Sequence, residues 1–198
     1  MSTLLFESLD GRVRLGMKGP QAEQWLKDRG VVLPAAPNSW AGSTAAAGST
    51  AAAGSTAAAD STGLLVARLG TSEFFLEDAA QGTLLSGIRR DLDEHPPGVY
   101  PVLREDSAFQ LSGEGAHDVL AQVCNVHFAA LNLDSRPVIM TLMLGVAVLV
   151  VPQGPDTSGP DAGRRYRIWC DPTFGPFLGE AVGGVVVECG GALRGLSA

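Results

Sequence analysis

Met17-Lys18-Gly19-Pro20-Gln21-Ala22-Glu23-Gln24-Trp25-Leu26 has a counterpart 94 residues further on, Leu111-Ser112-Gly113-Glu114-Gly115-Ala116-His117-Asp118-Val119-Leu120. Glycine, alanine and leucine fall at the same three places in both stretches. Each reads as the end of a strand, a glycine turn, and a helix with its apolar side chains on one face. Upstream, Val13, Leu15 and Met17 alternate with Arg12, Arg14 and Gly16, which predicts a half-buried strand. Pro20 is tolerated in the first turn of the following helix. Ala22, Trp25 and Leu26 share that helix's inner face, and Gly30 supplies a stop.

Working outward, strands are expected at residues 64–69 and 73–77 about a Gly70-Thr71 turn. A helix with Leu84, Leu85, Ile88 and Leu92 inward is ended by Pro96-Pro97. A strand at 99–104 closes the first half. The second half repeats the plan with a strand at 108–111 and a helix carrying Ala116, Val119, Leu120 and Val123. Strands at 138–144 and 146–151 part near Gly145, and a turn-rich loop covers 153–163. A strand at 165–170 follows, then a helix that Asp171-Pro172 caps. Gly183-Gly184 is read as the end of that helix and 185–189 as the last strand. The pair Glu77-Asp78 before one helix corresponds to Cys170-Asp171 before the other.

The fold class that follows is α+β, a duplicated strand–helix–strand–strand–helix–strand unit with one strand more in the second copy. A chance likeness between two short amphipathic helices is the competing explanation. The first half covers residues 1–40 and 60–105 and the second 106–198, together one compact domain. Between the two segments of the first half, GSTAAA occurs three times from Gly42 to Ala59. Gly-Ser-Thr interrupts the alanines every six residues and no apolar stripe exists to dock them, so 41–59 is expected to be a flexible low-complexity insert.

Composition bounds the function. The chain has 198 residues, 45% apolar and 18% charged, with a formal net charge of −7. That supports a real core and repels phosphate backbones, which argues against nucleic-acid partners. Cys124, Cys170 and Cys189 are odd in number and never paired as CxxC, so neither a disulfide framework nor structural zinc is expected. The first residues lack a secretion signal. The longest apolar run, 138–151, is too short for a spanning helix and rich in β-branched residues. A cytoplasmic protein without a membrane partner is the expectation.

Chemistry-bearing motifs are sparse. His95 stands at a helix end, where a cation complements the dipole. His117, Cys124 and His127 would approach one another only if one helix ran through all three, and no paired ligand motif supports a metal. There is no GxSxG, HExxH or Walker A sequence. Ser112-Gly113-Glu114-Gly115 lacks the dinucleotide fingerprint, and Glu105-Asp106 reads as a solvated turn. No catalytic, cofactor-binding or metal-binding residue is assigned. Arg164, Arg165 and Arg167 form the basic cluster, and Arg165, Arg167 and Trp169 are expected on an outward strand face. Because Arg and Trp are favoured interface anchors, these three are the candidate partner interface.

Four blocks in order carry a family resemblance. Residues 104–124 read Arg-Glu-Asp-Ser-Ala-Phe-Gln-Leu-Ser-Gly-Glu-Gly-Ala-His-Asp-Val-Leu-Ala-Gln-Val-Cys; the others are 68–76, 140–150 and 166–182. Together they resemble the gamma subunit of heterotetrameric sarcosine oxidase, related to the folate-binding domain of glycine-cleavage T-protein and its transfer-RNA-modifying relatives. The resemblance implies a non-catalytic subunit of an oxidoreductase complex that demethylates sarcosine to glycine, releasing formaldehyde or passing the carbon to tetrahydrofolate. It places FAD, FMN, NAD and tetrahydrofolate in partner subunits, the larger alpha and beta chains accompanied by a small delta chain. The GSTAAA insert and Asp171-Pro172-Thr173, where relatives often carry a small serine-containing turn, depart from the pattern. They leave another N-methyl amino acid open as the substrate. A stand-alone folate-binding protein of the T-protein-like kind, acting in iron–sulfur or transfer-RNA maintenance, is the other reading.

Overall fold

The computed structural model describes residues 4–44, 63–78, 84–154 and 164–196. In chain order its elements are β1 (Leu5–Ser8), β2 (Arg14–Lys18), α1 (Ala22–Lys27), β3 (Ser39–Thr44), β4 (Gly63–Arg68), β5 (Glu73–Glu77), α2 (Leu84–Leu92), β6 (Tyr100–Val102), β7 (Ser107–Ser112), α3 (Ala116–Val123), β8 (Ile139–Met143), β9 (Val146–Gln153), β10 (Arg165–Cys170), α4 (Gly175–Glu188) and β11 (Ala192–Arg194). The chain divides into two compact units, Gly11–Arg104 and Glu105–Ala198 joined by Met1–Asp10. The mixed α+β class read from the sequence is what the structure shows.

In the Gly11–Arg104 unit the strand order is β3-β4-β5-β2-β6, every neighbouring pair antiparallel. One sheet face presents Leu15, Met17, Leu64, Val66, Phe74 and Leu76 to Ala22 and Leu26 of α1 and Leu85, Ile88 and Leu92 of α2. The intervening residues of β2, β4 and β5 are buried too, so β2 is not half-exposed as its alternation predicts. Arg14 and Glu77 lie among them, directly opposite each other across β2 and β5. The Arg14 Nε donates to Glu77 Oε2 at 2.8 Å. Arg89 of α2 donates to the Arg14 carbonyl and holds helix to strand. A buried carboxylate costs several kcal/mol unless paired, which explains why the arginine faces it in register.

The other unit has a six-stranded sheet, β11-β1-β7-β10-β9-β8, antiparallel except for the parallel β1–β11 pair. Phe6, Phe109, Leu111, Val148, Val150, Tyr166 and Ile168 meet Val119, Leu120 and Val123 of α3 and Leu178, Val182 and Val186 of α4. Counted from β2, the first sheet is ordered second, third, fourth, first, fifth strand. Counted from β7, the other is ordered second, third, fourth, first, with β1 inserted ahead of the fifth. The apolar run 138–151 becomes the β8–β9 hairpin, turned by Leu144 at φ 50° and Gly145 at φ 85°. No helix among the described residues is long and apolar enough to cross a membrane.

Three boundaries differ from the sequence reading. β3 supplies a strand to the first half where none was expected, and residues 41–44, assigned to the insert, belong to it. Small residues give β3 no alternating pattern; its pairing with the wholly buried β4 makes the strand. The remaining repeats, the 153–163 loop beyond Gly154, and the start of the segment leading into α2 lie outside the described residues. β1 pairs with β7 and β11, so residues 1–10 go with the second half. Finally, α4 runs through Gly183-Gly184 to Glu188, and the last strand is β11. Gly175, Gly179 and Gly183 lie along its inner side, where an added Cβ would come within 2.1 Å of Ser107 Oγ, 3.2 Å of Phe109 and 3.4 Å of Leu193. Each interior glycine costs about 1 kcal/mol of helix propensity, but it lets the helix sit close on its sheet.

The glycines shared by the two opening stretches have a backbone reason. Gly19 has φ 134° and Gly113 φ 99°, a region L side chains rarely adopt. A Cβ on Gly19 would sit 2.2 Å from the Gly98 carbonyl oxygen. Gly19→Ala is therefore expected to lower stability by on the order of 3 kcal/mol, read as a loss of denaturation midpoint with little change in m-value. Gly87→Ala, in open space on α2, is expected to leave the midpoint unchanged or raise it.

Candidate functional site

Two hollows lie in the unit that contains α3 and α4. The first lies at the end of α3, a cavity of about 510 Å³ bordered by His117, Asp118, Cys124, His127 and Phe128, among others. α3 stops at Val123 because Cys124 turns extended and bridges to Met143. His127 therefore enters from the loop, not from a continuous helix. The three residues weighed as metal ligands do border one hollow, yet no cluster of three ligating side chains suited to a metal exists among the described residues.

His117 is instead committed to a hydrogen bond. Its Nε2 lies 2.5 Å from the hydroxyl of Tyr166, which is fully buried on β10. The Arg164 guanidinium lies near the same hydroxyl. The His117 imidazole and the Tyr166 hydroxyl share one hydrogen bond, its direction set by the imidazole tautomer. Burial, and next the Arg164 charge, push the His117 pKa down. Burial pushes the Tyr166 pKa up, against the opposing effect of Arg164. The arrangement orients a neutral imidazole at the lip of the cavity.

The second hollow is a groove of about 810 Å³ beside α4. Phe109 of β7, Leu193 of β11 and Leu196 give it an apolar lining, while Asp10, Glu180 and Glu188 are its ionisable groups. Asp10 is fixed by the Ser8 hydroxyl at 2.7 Å and the Ala108 amide at 3.1 Å. At the start of α4, Asp171 accepts from the Thr173 hydroxyl and amide, and these bonds hold its carboxyl below the usual range. Asp78 does the corresponding work for α2, accepting from the Leu85 amide at 3.2 Å. Cys170 is buried, and burial together with the Asp106, Asp171 and Asp10 carboxylates pushes its thiol up to about 11. It is therefore a packing residue and not a nucleophile at neutral pH.

The outward row expected on β10 is corrected. Arg167 and Trp169 are 0% and 1% exposed, and Arg165 is half-buried. Both faces of β10 are covered at Arg167 and Trp169, so alternation does not mark a solvent side, and these two present no open surface. The sequence reading does not mark Glu180, Val187 and Glu188 as a surface, because it assigns 185–189 to a strand. Read as helix, Phe177, Glu180, Gly184 and Val187 recur at three- and four-residue spacing and share one exposed face.

Comparison of the whole fold with solved structures finds two informative neighbours. The glycine cleavage system aminomethyltransferase T from Bartonella henselae matches with a TM-score of 0.65 and 14% identity, over 98% of this chain and 48% of that one. A chain of the heterotetrameric sarcosine oxidase from Corynebacterium sp. U-96, in complex with pyrrole 2-carboxylate, matches with a TM-score of 0.65 and 22% identity, over 96% of this chain and 87% of that one. The chain has a T-protein-like fold. It spans about half the length of the aminomethyltransferase. No protein-family model matches the sequence, and no curated protein does. Within this T-protein-like fold, the His117–Tyr166 pair joins α3 to β10.

That pair predicts a pH dependence. The folded-state pKa of His117 lies below its unfolded value of 6.5, so below that pH the unfolded chain binds the proton first. Stability from this residue is full above 6.5 and is lost as pH falls through the lowered folded pKa. His117→Gln, which keeps an acceptor for Tyr166, is expected to flatten that part of the stability–pH curve, measured by urea denaturation between pH 4 and 8 in steps of about half a unit.

Proposed function

We propose that this chain is a gamma-type, non-catalytic subunit of a sarcosine-oxidase-like complex that demethylates sarcosine or a related N-methyl amino acid. The observation that carries the reading is mutual length. The chain and the matched sarcosine oxidase polypeptide cover 96% and 87% of each other, whereas only 48% of the aminomethyltransferase is covered. A chain that size-matches one polypeptide of a heterotetramer is read as a counterpart of that polypeptide, with hetero-oligomeric partners. The ordered blocks that resemble the gamma subunit agree with it. In this reading the flavins, NAD and tetrahydrofolate belong to companion chains, and no chemical step passes through residues of this one.

The common strand order of the two units, together with the glycine turns at Gly19 and Gly113, supports reading them as copies of one α+β element. The insert would then occupy the connection that β8–β9 makes with two residues.

A tagged copy expressed in the native host tests the assignment. Larger chains carrying flavin absorbance and turning over sarcosine or another N-methyl amino acid are expected to co-purify at fixed stoichiometry. Recovery of the tagged chain alone from cells that oxidise these amines would sink it. Titration with tetrahydrofolate tests the stand-alone alternative: no saturable binding is expected of the isolated chain, and tight stoichiometric binding would favour a folate-binding protein.

A further inference from the structure

The groove beside α4 is the feature that the subunit reading leaves unused. We propose that it docks a polypeptide segment of a partner protein that presents apolar side chains flanked by two lysines or arginines. The apolar lining is not closed off: Val187 is 56% and Leu193 45% exposed, and Phe177, at 54%, extends the same helical face. Apolar side chains left in water around a concave hollow mark interaction sites. Gly184 sits among them with nothing within 4 Å of an added Cβ, so an incoming backbone can approach closely.

Charge selects the occupant. The ionisable groups around the groove are Asp10, Glu180 and Glu188, all acidic. Asp10 is held by Ser8 and the Ala108 amide, but neither glutamate has a cation within ion-pair distance among the described residues. Arg194, the arginine of neighbouring β11, pairs with Glu7 at 3.4 Å. A second copy of this chain would bring its own acidic rim, and a net charge of −7, against this one. A basic amphipathic segment instead neutralises the rim while filling the apolar floor. Glu180 and Glu188 are eight residues apart, about 12 Å along the helix axis. Two cations seven or eight residues apart on a helical segment match that span. The proposal does not depend on which complex the chain joins, so it can hold where the sarcosine-oxidase-like assignment fails.

Two synthetic amphipathic peptides of equal length and identical leucine stripe serve as probes, one with lysines eight residues apart and the other with glutamates there. Titrated calorimetrically into the full chain, the lysine peptide is expected to bind at least tenfold more tightly, and less tightly as salt is raised. E180K/E188K is expected to reverse that order, and Val187→Asp to weaken both peptides at least tenfold. All three positions are exposed, so unchanged Tm values confirm that the variants remain folded. Equal binding of the two peptides, no binding of the lysine peptide, or a lysine preference that survives charge reversal would each overturn the proposal. So would dimerisation of the chain that Val187→Asp abolishes, since that gives the groove to a second copy.

Discussion

Between the first strand and first helix of each unit stands a glycine whose backbone no other residue adopts cheaply. At Gly19 the restriction is doubled, because the Gly98 carbonyl fills the space where a side chain would begin. This turn sets the angle at which α1 leaves β2, and so whether Ala22 and Leu26 land on Met17 and Phe74. Gly113, followed by Gly115 at φ 88°, does the same for α3, placing Val119 and Leu120 over Leu111 and Tyr166. The helices covering each sheet are thus aimed by backbone geometry before hydrophobic burial stabilises them.

A second constraint follows from burial on both faces of the central strands. Where a sheet has no solvent side, any charge on it must carry its own counter-charge. Arg14 and Glu77 meet that requirement by occupying opposite positions in the β2–β5 ladder. Tyr166 meets the neutral version of it through His117. Polar residues here report enclosed networks, and their alternation with apolar neighbours says little about water.

That is why some of the molecule was legible in the sequence and some was not. The bounds of β5 and β10 coincide with their alternating or apolar runs, and α2 and α3 with their apolar faces, because local pattern and tertiary environment agree there. Arg167 and Trp169 were misplaced because a period of two separates faces without saying which one is wet. β3 was invisible because Ser39-Trp40-Ala41-Gly42-Ser43-Thr44 carries no pattern; hydrogen bonds to β4 define it. α4 was truncated because Gly183-Gly184 has the letters of a stop signal. Gly183 instead allows contact with Leu193, a cause that lies outside the local sequence. The groove beside α4 went unseen for the same reason.

The cysteines have a practical corollary. Cys124 and Cys170 are shut inside, and the Cys170 thiol is hard to ionise, whereas Cys189 stands exposed immediately after α4. Its sulfur accepts from the Gln122 side-chain amide at 3.5 Å. A maleimide dye added near neutrality would therefore label Cys189 ahead of the other two, one residue from Glu188. The unaltered polypeptide already carries a site for a fluorescent reporter at the edge of this surface.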